Sequence, residues 1–254
     1  MTNHRSGAVT FKGNPLTLVG DELVPGAKAP DFDLRCYGAD GMQHVKRDDF
    51  SGKPLIVSVV PSLDTPVCQV QTKTFNSRVA SLGDKISALT VSLDLPFAMN
   101  RFCGAESIDS MKNGSDYMDR SFGKDWGVLI DELKILARAV FVLDSEGVVQ
   151  YVQVVPEVAE EPDYESALAV VDKLLTQFFG CCVSQCVGDS GLSLSLRENF
   201  VFPVLRERAP RVALLKACRQ LVPDLGVHHR GLLPEQQVRV SMYLLRPLFF
   251  QLRD

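Results

Sequence analysis

Short apolar runs alternate with segments of helical spacing along the first 176 residues, and turns rich in glycine or proline separate many of them. Continuous or alternating apolar residues predict strands, whereas apolar residues three and four positions apart predict helices. The predicted strands, in chain order, are AVTFK, LTLVG, DFDLRCY, MQHV, PLIVSVV, ISALTVSLD, ARAVFVLD and VVQYVQVV. The first two flank a Gly-Asn-Pro turn and predict an N-terminal β-hairpin.

Four segments have helical spacing of their apolar residues. The first, 67–82, is predicted to end at Gly83 and to bury four residues on one face: Val70, Phe75, Val79 and Leu82. The remaining three are 96–106, 115–127 and 162–180. Glycines are predicted to end the second and the last of the four, at Gly104 and Gly180.

This order predicts an α/β, thioredoxin-like fold, in which a central mixed sheet is flanked by helices. PLIVSVV is apolar throughout, as expected of a strand that is buried on both faces. In the predicted layout it lies at the centre of the sheet. The strand that starts near Ala137 runs antiparallel beside it, so that its beginning meets the end of PLIVSVV.

Charge divides the chain into two parts near Gly180. Residues 1–176 carry 17 Lys and Arg against 25 Asp and Glu, whereas residues 177–254 carry 10 against 6. We therefore predict a thioredoxin-like domain at 1–178 and a C-terminal extension at 179–254. A net charge of −4 gives no sign of a nucleic-acid or anionic-membrane partner.

The cysteine content bears on compartment and chemistry. The N-terminal segment has no apolar stretch typical of a signal peptide, and no uncharged run approaches the roughly 18 residues of a membrane span. We therefore expect a cytoplasmic protein. Seven cysteines in a reducing compartment indicate catalytic, redox or metal-binding roles more than a disulfide scaffold.

Cys68 lies where the buried strand PLIVSVV gives way to the first helix. A free cysteine is often only a packed residue, and the other interpretation is a nucleophile. An unperturbed thiol has a pKa of about 8.5, so activation near pH 7 needs a shift of about three units, or ~4 kcal/mol. A helix start contributes up to ~2 kcal/mol. A cation close to the sulfur is therefore required.

Arg138 is the predicted cation, because it stands at the head of an otherwise apolar strand that ends beside PLIVSVV. The alternative is that its side chain extends to solvent from the edge of the sheet. Thr65, three residues before Cys68, has a hydroxyl able to cap the helix or to contact the thiolate. Pro61 and Pro66 stiffen the loop between them, and Pro66 suits a first helical turn.

These residues resemble a known family. Residues 61–68, PSLDTPVC, match the Pro-x-x-x-Thr-x-x-Cys signature of peroxiredoxins, in the form seen in the bacterial thiol peroxidase branch, the atypical two-cysteine type. Further stretches agree in order, over about residues 8–176: VTFKGNPLTLVG, DLPFAMNRFCGAE, DRSFGKDWGVLI, LARAVFVLDSEG and EEPDYESALAVV.

The resemblance implies a peroxide reductase with a thioredoxin fold. Cys68 would be the peroxidatic cysteine and Cys103 the resolving cysteine that forms an intramolecular disulfide with it. Thr65 and Arg138 would hold the thiolate and polarise the peroxide, while Pro61 shields the pocket. Thioredoxin would be the reductant and a homodimer the usual assembly, with no metal or organic cofactor.

Two expectations follow for the other cysteines of the domain. A disulfide needs Cα atoms within about 7 Å, and Cys103 lies on a different helix from Cys68. We therefore expect one or both helices to unwind locally during turnover. Cys36 is predicted to be a buried strand residue.

The extension leaves several interpretations open. Cys181, Cys182 and Cys186, with Cys218, His228 or His229, are candidate metal ligands, although their spacing lacks the usual paired pattern. Palmitoylation beside Phe178 and Phe179 is a second interpretation. The favoured one is a non-catalytic extension with short helices at 211–222 and 234–245.

Two other functions are weighed against the peroxidase. In one, the protein is a peroxide sensor that passes its disulfide to a partner through the extension. In the other it is a disulfide exchanger, which the absence of a C-x-x-C motif at the helix start weakens. A resolving thiol within the same chain favours the peroxidase.

Overall fold

The computed structural model describes the backbone of residues 3–188 and the side chains of residues 3–176. The predictions for the extension, including its candidate metal ligands and short helices, lie outside the described side chains. The division into 1–178 and 179–254 accordingly stays a prediction. Among the described residues, no helix has the length and apolar character needed to cross a bilayer.

The secondary structure alternates strands and helices, as the sequence predicts. Residues 3–188 contain ten strands: β1 (His4–Phe11), β2 (Asn14–Val19), β3 (Asp33–Gly38), β4 (Gly41–Lys46), β5 (Leu55–Val59), β6 (Ser87–Ser92), β7 (Lys112–Ser115), β8 (Leu129–Ile130), β9 (Ala139–Leu143) and β10 (Val149–Val154). The helices are α1 (Pro66–Leu82), α2 (Pro96–Ala105), α3 (Ser121–Asp125) and α4 (Tyr164–Gly188). Short 3₁₀ turns cover Arg47–Phe50 and Gly83–Lys85.

The main sheet has seven strands in the order β10-β9-β5-β6-β7-β3-β4, and a smaller sheet has the order β1-β2-β8. The β5–β6 and β6–β7 pairs are parallel, as the intervening helices require. β5 is central, and β9 runs antiparallel beside it with Val59 opposite Ala139. Both predictions about this part of the sheet are confirmed.

The strict alternation of β5 and β9 divides the core into two layers. Leu55, Val57 and Val59 join the layer that contains Phe122 and Trp126. Ile56 and Val60 face the other way, into the layer formed with α1, α2 and α4, and so do Val140 and Val142 of β9. Even-numbered positions at this end of β5 and β9 therefore point towards α1.

Helix α1 buries a different stripe from the predicted one. Phe75 and Val79 are buried as predicted, but Val70 is 44% exposed and Leu82 is only partly buried. The buried residues of the helix are Cys68, Gln71, Thr72, Phe75 and Val79. These positions share one face at 3.6 residues per turn, whereas Val70 lies on the opposite side of that stripe.

The helix predicted at 115–127 is wrong over most of its length. β7 occupies Lys112–Ser115, and α3 covers only Ser121–Asp125. Glycine is needed in β7 because a Cβ at Gly114 would stand 2.7 Å from Cδ1 of Leu34 on the neighbouring strand. This close packing between strands leaves no periodic pattern in the sequence of β7.

Helix α4 begins at Tyr164 and continues to Gly188, past the end predicted at Gly180. An interior glycine costs a helix only about 1 kcal/mol relative to alanine. Gly180 therefore disfavours continuation of the helix but does not prevent it. Cys36 also departs from its prediction, since this β3 residue is half-buried and not fully buried.

Candidate active site

Cys68 lies in the first turn of α1, directly after the loop that leaves the central strand. The backbone of Thr65 is extended and Pro66 is the first helical residue, so Cys68 is the third. Val60 N–H donates to the carbonyl of Val91 at 2.9 Å, which fixes the chain as it leaves β5. The thiol is fully buried, at the end of the helix where backbone N–H groups lack helical partners.

Arg138 brings a positive charge to this thiol. Its side chain is only 2% exposed, and Nη2 lies 3.4 Å from Sγ of Cys68. Nη1 donates to Oε1 of Gln71 at 2.6 Å and Nε donates to the carbonyl of Val158 at 3.0 Å. The alternative of an arginine that extends to solvent is therefore wrong.

The guanidinium has no carboxylate partner within the described residues. No described carboxylate oxygen lies within 4.0 Å of a guanidinium nitrogen of Arg138. An isolated buried charge is costly unless a counter-ion offsets it. The three acceptors around Arg138 are two neutral oxygens, from Gln71 and Val158, and the sulfur of Cys68.

Gln71 is a site residue that the sequence reasoning missed. It is fully buried one turn after Cys68, and besides accepting from Arg138 it donates through Nε2 to Oγ of Ser58 at 2.8 Å. Ser58 lies on the face of β5 that looks towards α1. The signal was available: a glutamine three residues after Cys68 shares its helix face, and that face is otherwise mostly apolar.

Thr65 and Pro61 flank the loop before the thiol. The Thr65 hydroxyl donates to the carbonyl of Ser62 at 2.9 Å, and the Thr65 N–H donates to the same oxygen at 3.2 Å. The hydroxyl makes no cap hydrogen bond to α1, contrary to the predicted cap. Instead, the hydroxyl donates its hydrogen bond within the tight turn between Ser62 and Thr65. Pro61 is buried, whereas Thr65 is exposed.

Asp94 ties this loop to the start of α2 and was also missed. Its carboxylate accepts from Oγ of Ser62 at 2.7 Å, from the N–H of Leu63 at 2.7 Å and from Oγ of Ser92 at 2.9 Å. The next residue, Leu95, is the N-terminal cap residue of α2. One side chain thus links the loop before Cys68 to the helix that carries Cys103.

Cys103 is near the C-terminal end of α2 and is almost fully buried, in the same apolar layer as Cys68. Its sulfur accepts from Nδ2 of Asn113 at 3.5 Å. Burial raises the pKa of the Cys103 thiol, and this effect outweighs the hydrogen bond from Asn113, which lowers it. Both thiols are free, so the structure describes the reduced protein.

The predicted residues thus divide into three groups. Cys68 and Arg138 are in direct contact, whereas Cys103 packs in the same layer with a hydrogen-bond partner of its own. Thr65 and Pro61 border the loop without a hydrogen bond to either sulfur among the described contacts. Within the described residues, no group of three or more His, Cys, Asp or Glu side chains could hold a metal ion.

Comparison with known proteins places the chain in a family. The Redoxin family model matches residues 24–168. The thiol peroxidase of Halalkalibacterium halodurans is 48% identical over 161 residues, which is 63% of this chain and 95% of that protein. The thiol peroxidase of Bacillus subtilis is 46% identical over 167 residues, or 66% of this chain and 98% of that protein.

Solved structures give the same result. A peroxiredoxin-like protein from Aquifex aeolicus is 41% identical, with a TM-score of 0.61 over 68% of this chain and 99% of that one. A thiol peroxidase from Chromobacterium violaceum shares the fold at 19% identity, with a TM-score of 0.59 over 66% of this chain and 97% of that one. The chain therefore belongs to the redoxin family and is a peroxidase of its bacterial thiol peroxidase branch.

Proposed function

We propose that this peroxidase is thioredoxin-dependent, with Cys68 as the peroxidatic nucleophile and Cys103 as the resolving cysteine. The observation that carries the proposal is the buried guanidinium of Arg138, which has no carboxylate partner in the described structure and lies 3.4 Å from the sulfur of Cys68. A thiolate at Cys68 would supply the negative charge that balances this buried guanidinium. The thiolate is also the nucleophilic form of cysteine, so the same contact stabilises the form that reacts.

In the first step the Cys68 thiolate attacks the nearer oxygen of a hydroperoxide. An S–O bond forms as the O–O bond breaks, which oxidises Cys68 to a sulfenic acid and releases an alkoxide or hydroxide that takes a proton to become alcohol or water. The Thr65 hydroxyl donates its hydrogen bond to the carbonyl of Ser62. Its oxygen lone pairs therefore remain available to accept a hydrogen bond from the hydroperoxide O–H. Arg138 stabilises the developing negative charge, and Pro61 shields the pocket.

In the second step the Cys103 thiol attacks the sulfenic sulfur. An S–S bond forms and water leaves, so the sulfenic acid is trapped before further oxidation. The dithiol of thioredoxin then reduces the Cys68–Cys103 disulfide and becomes oxidised itself. Because the cycle needs reduced thiols and thioredoxin, we place it in the cytoplasm, and we propose a homodimer as the assembly.

Disulfide mapping tests the residue assignments. The reduced protein is treated with one equivalent of hydrogen peroxide, alkylated and digested, and its disulfides are identified by peptide mass spectrometry. We expect a Cys68–Cys103 linkage, with Cys36 still alkylated. A linkage of Cys68 to any other cysteine, or an unreacted Cys68, would contradict the resolving pair.

Steady-state turnover tests the reductant separately. Peroxide consumption is followed in the presence of thioredoxin, its reductase and NADPH, with wild type, Cys68→Ser and Cys36→Ser. Wild type and Cys36→Ser should turn over at similar rates, whereas Cys68→Ser should be inactive. Turnover with a small thiol but not with thioredoxin would contradict thioredoxin dependence and leave the peroxidase chemistry intact.

A further inference from the structure

We propose that Glu157 is a positioning residue for Arg138, acting through the carbonyl of the adjacent Val158 and the N-terminal hairpin. The inference rests on the proposed partnership of Arg138 with the Cys68 thiolate. Glu157 touches neither Arg138 nor Cys68 through any described hydrogen bond. Its effect on the site therefore depends on where it holds the segment around it.

The acceptors of Arg138 differ in how they are anchored. Gln71 belongs to α1, whose helical hydrogen bonds fix its backbone. Val158 belongs to an irregular segment between β10 and α4, yet its carbonyl accepts from Nε of Arg138 at 3.0 Å. A guanidinium is a rigid fork, so a shift of the oxygen at Nε reorients both terminal nitrogens. The position of Val158 thus helps to determine the contact between Nη2 and Cys68.

The backbone around Val158 is held between Arg138 and strand β1. On one side, the N–H of Val155 donates to the carbonyl of Arg138 at 2.9 Å. On the other, the N–H of Thr10 donates to Pro156 at 2.7 Å and the N–H of Val158 donates to Thr10 at 2.9 Å. Val158 is therefore placed by the hairpin formed by β1 and β2.

Glu157 secures that placement. Its carboxylate accepts from Oγ1 of Thr10 at 2.9 Å and from the backbone N–H groups of Lys12 at 3.0 Å and Gly13 at 3.1 Å. It also accepts from the N–H of Ala159 at 3.2 Å. Desolvation raises the pKa of Glu157, but these hydrogen bonds together outweigh it and lower the pKa to about 2. The carboxylate thus joins the hairpin turn to both sides of Val158.

Glu132 provides a matched control. Both of its carboxylate oxygens accept from the N–H of Thr17, at 3.0 and 2.9 Å, so it holds the same hairpin through β2. Hydrogen bonds from Thr17 lower its pKa as well. Among the described hydrogen bonds of Arg138, none goes to a sequence neighbour of Glu132. Loss of either carboxylate weakens the hairpin, but only loss of Glu157 is expected to reach the active site.

The test measures the rate of alkylation of Cys68 as a function of pH in the full chain. Iodoacetamide labelling is read at the Cys68 peptide by mass spectrometry, with the Cys36 peptide as internal reference. Glu157→Gln replaces one acceptor oxygen by a donor that faces other donors. We expect its Cys68 profile to move to higher pH by about half a unit, or roughly threefold slower labelling on the rising limb. The Glu132→Gln profile should overlay wild type.

Arg138→Ala separates failure of the inference from failure of the proposed function. If it shifts the Cys68 profile and Glu157→Gln does not, the positioning role is wrong and the partnership with Arg138 stands. An equal shift from Glu132→Gln would also overturn the positioning role, since general loosening of the hairpin would explain both. If Arg138→Ala leaves the profile unchanged, the proposed partnership itself is wrong.

Should Glu157→Gln not fold, Thr10→Val serves in its place. It removes a single hydrogen-bond donor to Glu157, and a smaller shift of the Cys68 profile in the same direction is expected.

Discussion

Nη2 of Arg138 lies 3.4 Å from Sγ of Cys68, although 70 residues separate the two in the chain. The register of β5 against β9 brings them together, because Val59 lies opposite Ala139 and the next step outward reaches Arg138. Side-chain alternation then directs Arg138 to the face that carries α1. The contact follows from strand order, register and parity, and a shift of one residue would remove it.

Arg138→Lys should preserve the charge and lose most of the function. A lysine ammonium cannot donate to Gln71, Val158 and Cys68 in one planar arrangement. We expect kcat/KM for hydrogen peroxide to fall by about tenfold or more, which corresponds to ~1.4 kcal/mol of lost transition-state stabilisation. Steady-state kinetics with saturating reductant measures this. Arg35→Lys, on the edge strand pair, is the control, and an equal loss there would contradict the assignment.

Gln71→Leu should damage both activity and stability. It removes the acceptor for Nη1 of Arg138 and the donor to Ser58, leaving buried polar groups unsatisfied. Each such group costs about 1–3 kcal/mol, so the free energy of unfolding in urea should fall by roughly that amount. Cys68 labelling at a fixed pH should slow in parallel. A stable variant with unchanged Cys68 labelling would show that Gln71 does not orient Arg138.

How much of this site was available from the sequence depends on the range of each contact. The motif around Cys68 and the apolar runs predicted a thiol at the start of α1, the central strand and its antiparallel neighbour. Arg138 could be predicted because a charge at the head of a buried strand needs a partner. Local pattern and a physical cost were sufficient for these four features.

The residues that were missed depend on contacts between distant segments. Asp94 and Glu157 look like ordinary acidic residues in loops, and only the fold brings hydroxyl and N–H donors to them. The short strand β7 was missed because its glycine is required by close packing against Leu34 on another strand. That requirement leaves no periodic pattern within β7 itself. The same reason accounts for the helix wrongly predicted at 115–127.

Asp94→Asn should raise KM for hydroperoxide more than it lowers kcat. An amide retains one oxygen for Ser62 but presents N–H to the N–H of Leu63, so the loop between Pro61 and Thr65 loosens. Loss of one hydrogen bond to a charged group is worth about 1.5–3 kcal/mol, so we expect a rise in KM of roughly tenfold. Initial-rate kinetics checks this. Asp64→Asn is the control, because the side chain of this exposed neighbour has no described partner in the loop.

Asp116 should make the protein less stable as the pH rises from about 4 to about 6. Desolvation raises the pKa of this buried carboxyl to about 6, although hydrogen bonds from the N–H groups of Gly123 and Phe122 oppose the shift. A folded-state pKa above the unfolded value of about 3.9 means that the fold binds the proton more tightly. The resulting stability is present below pH ~4 and is lost as the pH rises through the folded pKa.

Comparison with Asp116→Asn isolates this group from other titrations. The free energy of unfolding of wild type, measured relative to the variant in urea, should fall by about 2 kcal/mol between pH ~4 and ~6.5. Asp125→Asn, which replaces an exposed carboxylate of α3, should track wild type across the range. A difference between wild type and Asp116→Asn that is constant with pH would contradict the raised pKa.

Oxidation should unwind one or both of the helical segments that carry the two cysteines. In the reduced protein Sγ of Cys68 is bound by Arg138 and Sγ of Cys103 by Asn113, so disulfide formation must break both contacts. We expect hydrogen exchange to accelerate by about tenfold or more in the first turn of α1 or in α2 after one equivalent of peroxide, since local opening there becomes populated. Amides of β5 and β9 should exchange at the same rate in both forms.

Cys103→Ser separates the effect of the disulfide from that of the sulfenic acid. In this variant Cys68 should still be oxidised, and further peroxide should carry it to the sulfinic form, but α2 should stay protected. Faster exchange of α2 in oxidised Cys103→Ser would attribute the opening to the sulfenic acid and contradict a disulfide-driven change.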